Sequence, residues 1–143
     1  MGRSVLLSLR PEWFRPIMCG MKTKEVRKRA PLNVHPYKVY LYCTKGGNDA
    51  YLTGIIGKRE SYRLNGTVCG EFICESTMDY THPFSEFGTY LTKKELETYA
   101  FNIRTGEYDR LSYMSIRDPI MYDKPKSLED FGIKHAPQSW RYI

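Results

Sequence analysis

The chain lacks the sequence features of membrane and exported proteins. None of its apolar runs approaches the roughly 20 residues that a membrane-spanning helix needs. Near the amino terminus only Val5, Leu6 and Leu7 are consecutively apolar before polar residues resume, so the core of a signal peptide is missing. We therefore expect a cytoplasmic protein that makes no membrane contact.

Cysteine and histidine are also scarce. The cysteines at positions 19, 43, 69 and 74 form no CxxC pair, and the three histidines form no HxxxH or HExxH motif. Because these spacings match no zinc ribbon or finger, we predict no metal and no cofactor. The thiols are expected to stay reduced, with Cys19, beside Gly20, the candidate for an exposed thiol.

Alanine is rare as well, with four residues against twelve tyrosines. Tyrosine suits a pleated, half-buried surface and alanine suits helices, so this balance predicts a mainly β, α+β fold with short flanking helices. A chain of 143 residues can bury a sufficient core without disulfides. We predict a single domain over residues 1–143, with a possible insertion at 45–66.

Local patterns place the elements along the chain. Apolar or alternating runs predict strands at 5–9, 38–43, 52–56, 68–74, 113–117, 120–122 and 139–143. Trp13, Phe14, Ile17 and Met18 share one apolar face of a helix predicted at 12–19, which Gly20 ends. Capping signals predict helices at 93–101 and, as a single turn, at 127–131. Pro16 is expected in the first turn of the first helix. Gly70 is expected at a bulge or close approach, and Pro119 at a strand edge or bulge.

The net charge of +6 is distributed unevenly. Residues 1–45 hold ten Lys and Arg against two acidic residues, a net +8, whereas residues 46–143 hold twelve against fourteen, a net −2. A one-sided basic field favours an anionic partner such as RNA, DNA or a nucleotide. The alternative is a solvated basic face that aids solubility.

The segment 22–29 has no apolar side of the kind that a core strand needs. Read as a strand, it places four side chains on one face: Thr23, Glu25, Arg27 and Arg29. Lys22 would then lie on the opposite face. A guanidinium two residues from a carboxylate can bind a phosphate or a base edge, or can form a purely structural ion pair.

Three stretches carry motifs that occur together in a known family. Residues 7–11 (LSLRP) precede 20–29 (GMKTKEVRKR), which contains G-x-K-T-x-E-x-R. Residues 39–44 (VYLYCT) are followed by 66–72 (GTVCGEF), and the tail holds YDKPK, L-x-x-F and APQSW. Together these motifs resemble the ASCH domains of the PUA-like superfamily, from end to end of the chain.

The resemblance implies a small β-barrel with flanking helices that binds RNA in a cleft at the barrel mouth. Some relatives are amidohydrolases acting on N4-acetylcytidine, and at least one is described as a ribonuclease. The amidohydrolase pattern has a Lys, a Thr three residues later and a more distant Glu. Lys22 matches the Lys, Glu25 occupies the Thr position, and Glu95 and Glu97 are the nearest candidates for the third residue.

These observations define one candidate site. Its predicted nucleic-acid-binding residues are Arg10, Lys22, Thr23, Glu25, Arg27, Arg29, Ser139 and Trp140. Lys22, Arg27 and Arg29 would hold phosphates and Glu25 would read a base or orient Arg27. Trp140 would stack on a base or close the barrel by packing.

Three functions remain open from the sequence. The leading one is a module that binds RNA or a nucleotide in a basic cleft. The second is a small hydrolase acting on RNA or a modified nucleoside, in which Lys22 and Glu25 would be catalytic. The third is a protein-interaction module whose basic first third faces an acidic protein partner.

Overall fold

The structure, a computed structural model, describes residues 1–52, 62–80, 101–102, 107–108 and 111–143. Its strands are β1 (Val5–Leu9), β2 (Lys24–Arg27), β3 (Tyr37–Cys43), β4 (Val68–Cys74), β5 (Thr77–Tyr80), β6 (Phe101–Asn102), β7 (Glu107–Tyr108), β8 (Leu111–Ser115), β9 (Arg117–Lys126) and β10 (Trp140–Tyr142). Helix α1 spans Phe14–Met18 and follows a 3-10 turn at Pro11–Trp13; a second 3-10 turn spans Glu129–Phe131. This mainly β composition with short helices confirms the predicted α+β class.

The strands form two principal sheets. The larger has the order β10-β1-β3-β4-β9, the smaller has the order β2-β8-β5, and β6 and β7 pair separately. Among the described residues these sheets do not close, so the small β-barrel that the resemblance implies is open in this part of the chain. The reason is that, in the described ladders, neither edge strand of the larger sheet (β10 or β9) pairs with an edge strand of the smaller one (β2 or β5).

Strand β1 is buried along its whole length. It runs parallel to β3 and antiparallel to β10. Val5, Leu7 and Leu9 enter the main core, which also contains Phe14 and the three-stranded sheet's Met114. The alternate residue, Leu6, packs in a second cluster on the opposite face. The predicted strand 5–9 is therefore confirmed, with the burial expected of a strand covered on both sides.

Helix α1 confirms the predicted apolar face and its stop signal. Phe14 and Ile17 are fully buried, and Met18 packs against the same core. Pro16 lies in the first turn, where its missing N–H costs no helical hydrogen bond. Gly20 follows with a φ of +81°, a conformation that other residues rarely adopt, and the chain turns toward β2.

Gly70 is a point of close approach, as predicted. A Cβ atom on this residue would lie 2.7 Å from the carbonyl oxygen of Ile120. The pairing of β4 shifts register beside it, both toward β3 and toward β9. Pro119 lies in β9, the edge strand of the larger sheet, next to Asp118 with its φ of 50°. Gly70 and Pro119 therefore lie where the sequence predicted, at a close approach and on an edge strand.

The remaining local predictions are confirmed only in part. The strand at 68–74 is present as predicted, and those at 38–43, 120–122 and 139–143 are present with shifted ends. The strand predicted at 113–117 is divided between β8 and β9, and the predicted turn at 127–131 ends at Gly132. The strand predicted within 22–29 is shorter than expected and spans only Lys24–Arg27. The predicted strand 52–56 lies outside the described residues except Leu52, whose backbone is helical. The helix 93–101, with Glu95 and Glu97, lies outside them except Phe101, which is in β6.

No helix in the described part of the chain has the length and apolar composition needed to cross a membrane. All four cysteines are free thiols; Cys19 is exposed, as predicted, and the other three are buried.

Candidate nucleic-acid interface

The candidate site is centred on a buried carboxylate, Glu25, which lies on β2. The residue is only 4% exposed. Its Oε2 lies 3.1 Å from Lys22 Nζ, and its Oε1 lies 3.3 Å from Arg27 Nε. One negative and two positive side chains therefore meet in a nearly dry environment, and we call these three residues the ionic cluster.

Lys22 reaches this cluster because it is not part of β2. It lies in the turn between α1 and β2, where its backbone N–H donates to the carbonyl of Pro16 at 2.9 Å. From that turn its side chain contacts Glu25, although an extended strand would have placed the two on opposite faces. The residue is 5% exposed, so the predicted opposite-face placement is wrong and Lys22 is a buried cation.

Trp13 covers the ammonium group of Lys22. The Nζ atom lies 4.2 Å from the centroid of the indole ring, within the range of a cation–π contact. Trp13 is half-buried and packs against the main core. The sequence placed Trp13 on the core face of the helix. Its contact with Lys22, nine positions later in the chain, could not be predicted from any local pattern.

Arg27 ties the cluster to two distant parts of the chain. Its Nη2 donates to the carbonyl of Ser8 at 2.7 Å, and its Nη1 donates to Ser139 Oγ at 3.2 Å. The backbone of Ser8 in turn donates to the carbonyl of Ser139 at 2.9 Å. Three of the five guanidinium N–H groups are thus committed within the protein, which makes Arg27 a positioning residue of this cluster.

Glu25 retains unused hydrogen-bonding capacity. Within the described part of the chain its Oε2 accepts no hydrogen bond of good geometry, so its contact with Lys22 is ionic only. A buried carboxylate oxygen of this kind can accept from an N–H or O–H group. The cluster as a whole carries a net charge of +1, which favours an anionic partner.

The other predicted site residues surround the cluster without joining it. Arg10, Thr23 and Arg29 are exposed. Arg10 is two residues from Ser8, and Arg29 is two residues from Arg27, so both lie near the chain segments that form the cluster. The structure therefore separates two roles that the sequence combined, because the buried cations pair internally and the exposed arginines face solvent.

Trp140 has an internal partner. Its indole N–H donates to the carbonyl of Arg29 at 3.0 Å, and its ring meets Tyr142 edge to face at 5.3 Å between centroids. The Tyr142 hydroxyl donates to the carbonyl of Leu32 at 2.6 Å. Both aromatics of β10 thus anchor the loop that follows β2, which sequence reasoning did not anticipate.

A groove of about 590 Å³ opens between that loop and the smaller sheet. Described residues that line it are Lys28, Arg29, Leu32, Thr77, Asp79 and Ser112. Sequence reasoning missed Asp79 and Ser112 because their spacing in the chain carries no motif. Among the residues that the structure describes, no group of His, Cys, Asp and Glu side chains is arranged to hold a metal ion.

Solved structures with this fold come from an ASCH protein of Zymomonas mobilis. The unsubstituted protein matches with a TM-score of 0.69 and 21% sequence identity, over 99% of this chain and 87% of that one. Its Ser-to-Ala mutant matches with a TM-score of 0.69, 20% identity and coverage of 99% and 88%. Its Tyr-to-Phe mutant matches with a TM-score of 0.68 and 20% identity, over 99% of this chain and 90% of that one. No protein-family model and no curated protein sequence matches the chain. The likeness confirms that this chain has the ASCH fold.

Proposed function

Starting from the ASCH fold, we propose that this chain binds RNA, or a nucleotide, at the ionic cluster and the exposed basic residues around it. The observation that carries the proposal is the cluster itself: Glu25 buried between Lys22 and Arg27, with one carboxylate oxygen still able to accept a hydrogen bond. From this buried position Glu25 orients Lys22 and Arg27, while the exposed cations nearby attract the phosphates.

In this proposal the phosphate contacts come mainly from the exposed residues. Arg10 and Arg29 are exposed and lie within two residues of the chain segments that hold the cluster. Lys22 and Arg27 add positive potential from beneath the protein surface, since both are nearly buried and paired with Glu25. Thr23 and Ser139 border the same region and complete the predicted set.

The experiment that tests this function is fluorescence anisotropy of a labelled single-stranded RNA at several salt concentrations. We expect the logarithm of affinity to fall linearly with the logarithm of salt. The double variant Arg10→Ala/Arg29→Ala should lower that slope by about 0.7 for each phosphate that is no longer neutralised. Its matched control is Lys124→Ala/Lys134→Ala, which removes the same charge from exposed positions elsewhere.

The control separates local contacts from overall charge. If the two double variants weaken binding equally, the basic residues attract RNA only diffusely and the proposed site is wrong. If the wild-type protein fails to bind RNA even at low salt, the RNA-binding function itself is rejected.

One observation favours a hydrolase as the second candidate. The Lys22 ammonium and the Glu25 carboxylate lie 3.1 Å apart in a nearly dry site, an arrangement that suits proton transfer to a bound substrate. RNA and N4-acetylcytidine are the substrates to incubate with the protein. A product that forms with wild type and disappears with a folded Lys22→Met variant would support catalysis, and no product from either substrate would reject it.

A cytoplasmic location stays a prediction, supported by four free thiols that suit a reducing compartment. The single domain and the insertion at 45–66 also stay predictions.

A further inference from the structure

The groove beside the loop lies on the same face of the smaller sheet as the ionic cluster. Strand pairing sets Arg27 of β2 opposite Ser112 of β8, and Ser112 opposite Asp79 of β5. Residues directly opposite each other in an antiparallel sheet project to the same side. Arg27, Ser112 and Asp79 therefore form one row across the sheet, which leads from the cluster into the groove.

Burial changes along this face in the direction of the groove. Met114, in the neighbouring row with Glu25, is fully buried in the main core. Ser112 is 4% exposed, whereas Asp79 is exposed. The floor of the groove is thus an ordered strand surface, and its polar groups become accessible where β5 borders it.

Asp79 is held in a defined orientation. The Ser112 hydroxyl donates a hydrogen bond to its Oδ1 atom. This contact leaves Oδ2 and one lone pair of Oδ1 able to accept from a ligand. A carboxylate that a buried hydroxyl holds in place can recognise a ligand by accepting hydrogen bonds from its N–H groups.

The opposite wall carries positive charge and is anchored. Lys28 and Arg29 line it, and both side chains are exposed. Its backbone is fixed by the hydrogen bonds from Trp140 to Arg29 and from Tyr142 to Leu32. Leu32 is 95% exposed and offers an apolar surface at the rim of the groove. A groove of about 590 Å³ falls within the size range of small-ligand sites.

We propose that this groove is a nucleotide subsite selective for guanine, continuous with the ionic cluster. Guanine is the only one of the four RNA bases that presents two adjacent N–H donors on its Watson–Crick edge, and the Asp79 carboxylate accepts them. Lys28 and Arg29 hold the flanking phosphates. The inference rests on the proposed RNA-binding function, since the same strand would pass from the cluster into the groove.

The test compares an oligouridine with the same oligomer carrying one central guanosine, by anisotropy on the full chain. We expect wild type to prefer the guanosine oligomer by about 5- to 150-fold, the range of one bidentate base contact. Asp79→Asn should reduce the preference to about twofold or less, because the amide replaces one acceptor with a donor. Asp118→Asn is the matched control, an exposed aspartate on β9 where asparagine tolerates the positive φ.

The outcomes distinguish the subsite from the function on which it rests. Equal, salt-dependent binding of both oligomers by wild type would keep the RNA-binding function and overturn the guanine subsite. If neither oligomer binds, titration with guanosine monophosphate decides the subsite, read from the backbone amide NMR signals of Asp79 and Ser112. Shifts with guanosine but not adenosine monophosphate would support it, and no shifts would overturn it.

Discussion

Replacing Arg27 with alanine is expected to lower the free energy of unfolding by about 3 kcal/mol, near the lower end of the range for a buried ion pair that loses one partner. The change removes hydrogen bonds to Glu25, Ser8 and Ser139 and leaves the buried carboxylate with Lys22 alone. The lower end applies because the Arg27 side chain is 11% exposed and Lys22 still compensates the charge. Thermal unfolding should shift downward by roughly 10 °C.

The neighbouring arginine supplies the control. Arg29 is exposed, and the contact it makes to Trp140 uses its backbone carbonyl, so Arg29→Ala keeps that bond. Its effect on unfolding should stay within about 0.5 kcal/mol. Urea denaturation of both variants, followed by circular dichroism, measures the difference. Equal stability of the two variants would show that the ionic cluster does not hold β2 to β1 and the carboxy-terminal segment.

Alkylation of the native protein at pH 8 should modify one thiol out of four. Cys19 is exposed, whereas Cys43, Cys69 and Cys74 are buried. Burial raises the pKa of Cys43 to about 12 and raises the pKa values of Cys69 and Cys74 as well. At pH 8 only about one part in ten thousand of Cys43 would be the reactive thiolate, even before its inaccessibility is considered.

Intact-mass measurement after iodoacetamide treatment counts the labelled thiols. We expect one label on wild type, none on Cys19→Ser, and four on wild type unfolded in denaturant. Raising the pH toward 10 increases the thiolate fraction of each buried cysteine about tenfold per pH unit, yet labelling stays slow while the core excludes the reagent. Rapid labelling of two or more thiols in the native protein would contradict the burial of the cysteines in β3 and β4.

Local sequence patterns predicted much of the fold because the signals involved are short-ranged. The apolar run of β1 and the stop at Gly20 depend on residues within a few positions of each other. At Gly70 the glycine itself signalled a close approach, but its neighbour, the carbonyl of Ile120, comes from a distant strand. The strand at 22–29 was overestimated because its charges gave no apolar face from which to judge its ends. The resemblance implied a small β-barrel without saying whether its sheets close, and the described sheets are open.

The sequence predicted the contact between Glu25 and Arg27 at the centre of the candidate site, but not the arrangement of the side chains around it. Glu25 and Arg27 were paired from spacing alone, and the structure confirms that contact. The burial of Lys22 depends on where α1 ends, and its cover, Trp13, comes from the preceding turn. The burial of Lys22 and its contact with Trp13 could not be predicted from residue spacing, since burial depends on which distant segments cover a side chain.

The sequence by itself therefore determined the α+β class, the basic first third and the Glu25–Arg27 pair, because composition and periodicity act through neighbouring residues. Only the tertiary structure decided that Ser8, Arg27 and Ser139 meet, since Arg27 and Ser139 are 112 positions apart in the chain. It alone aligned Arg27 with Ser112 and Asp79, because register between strands is set by long-range pairing and by the packing of a buried face.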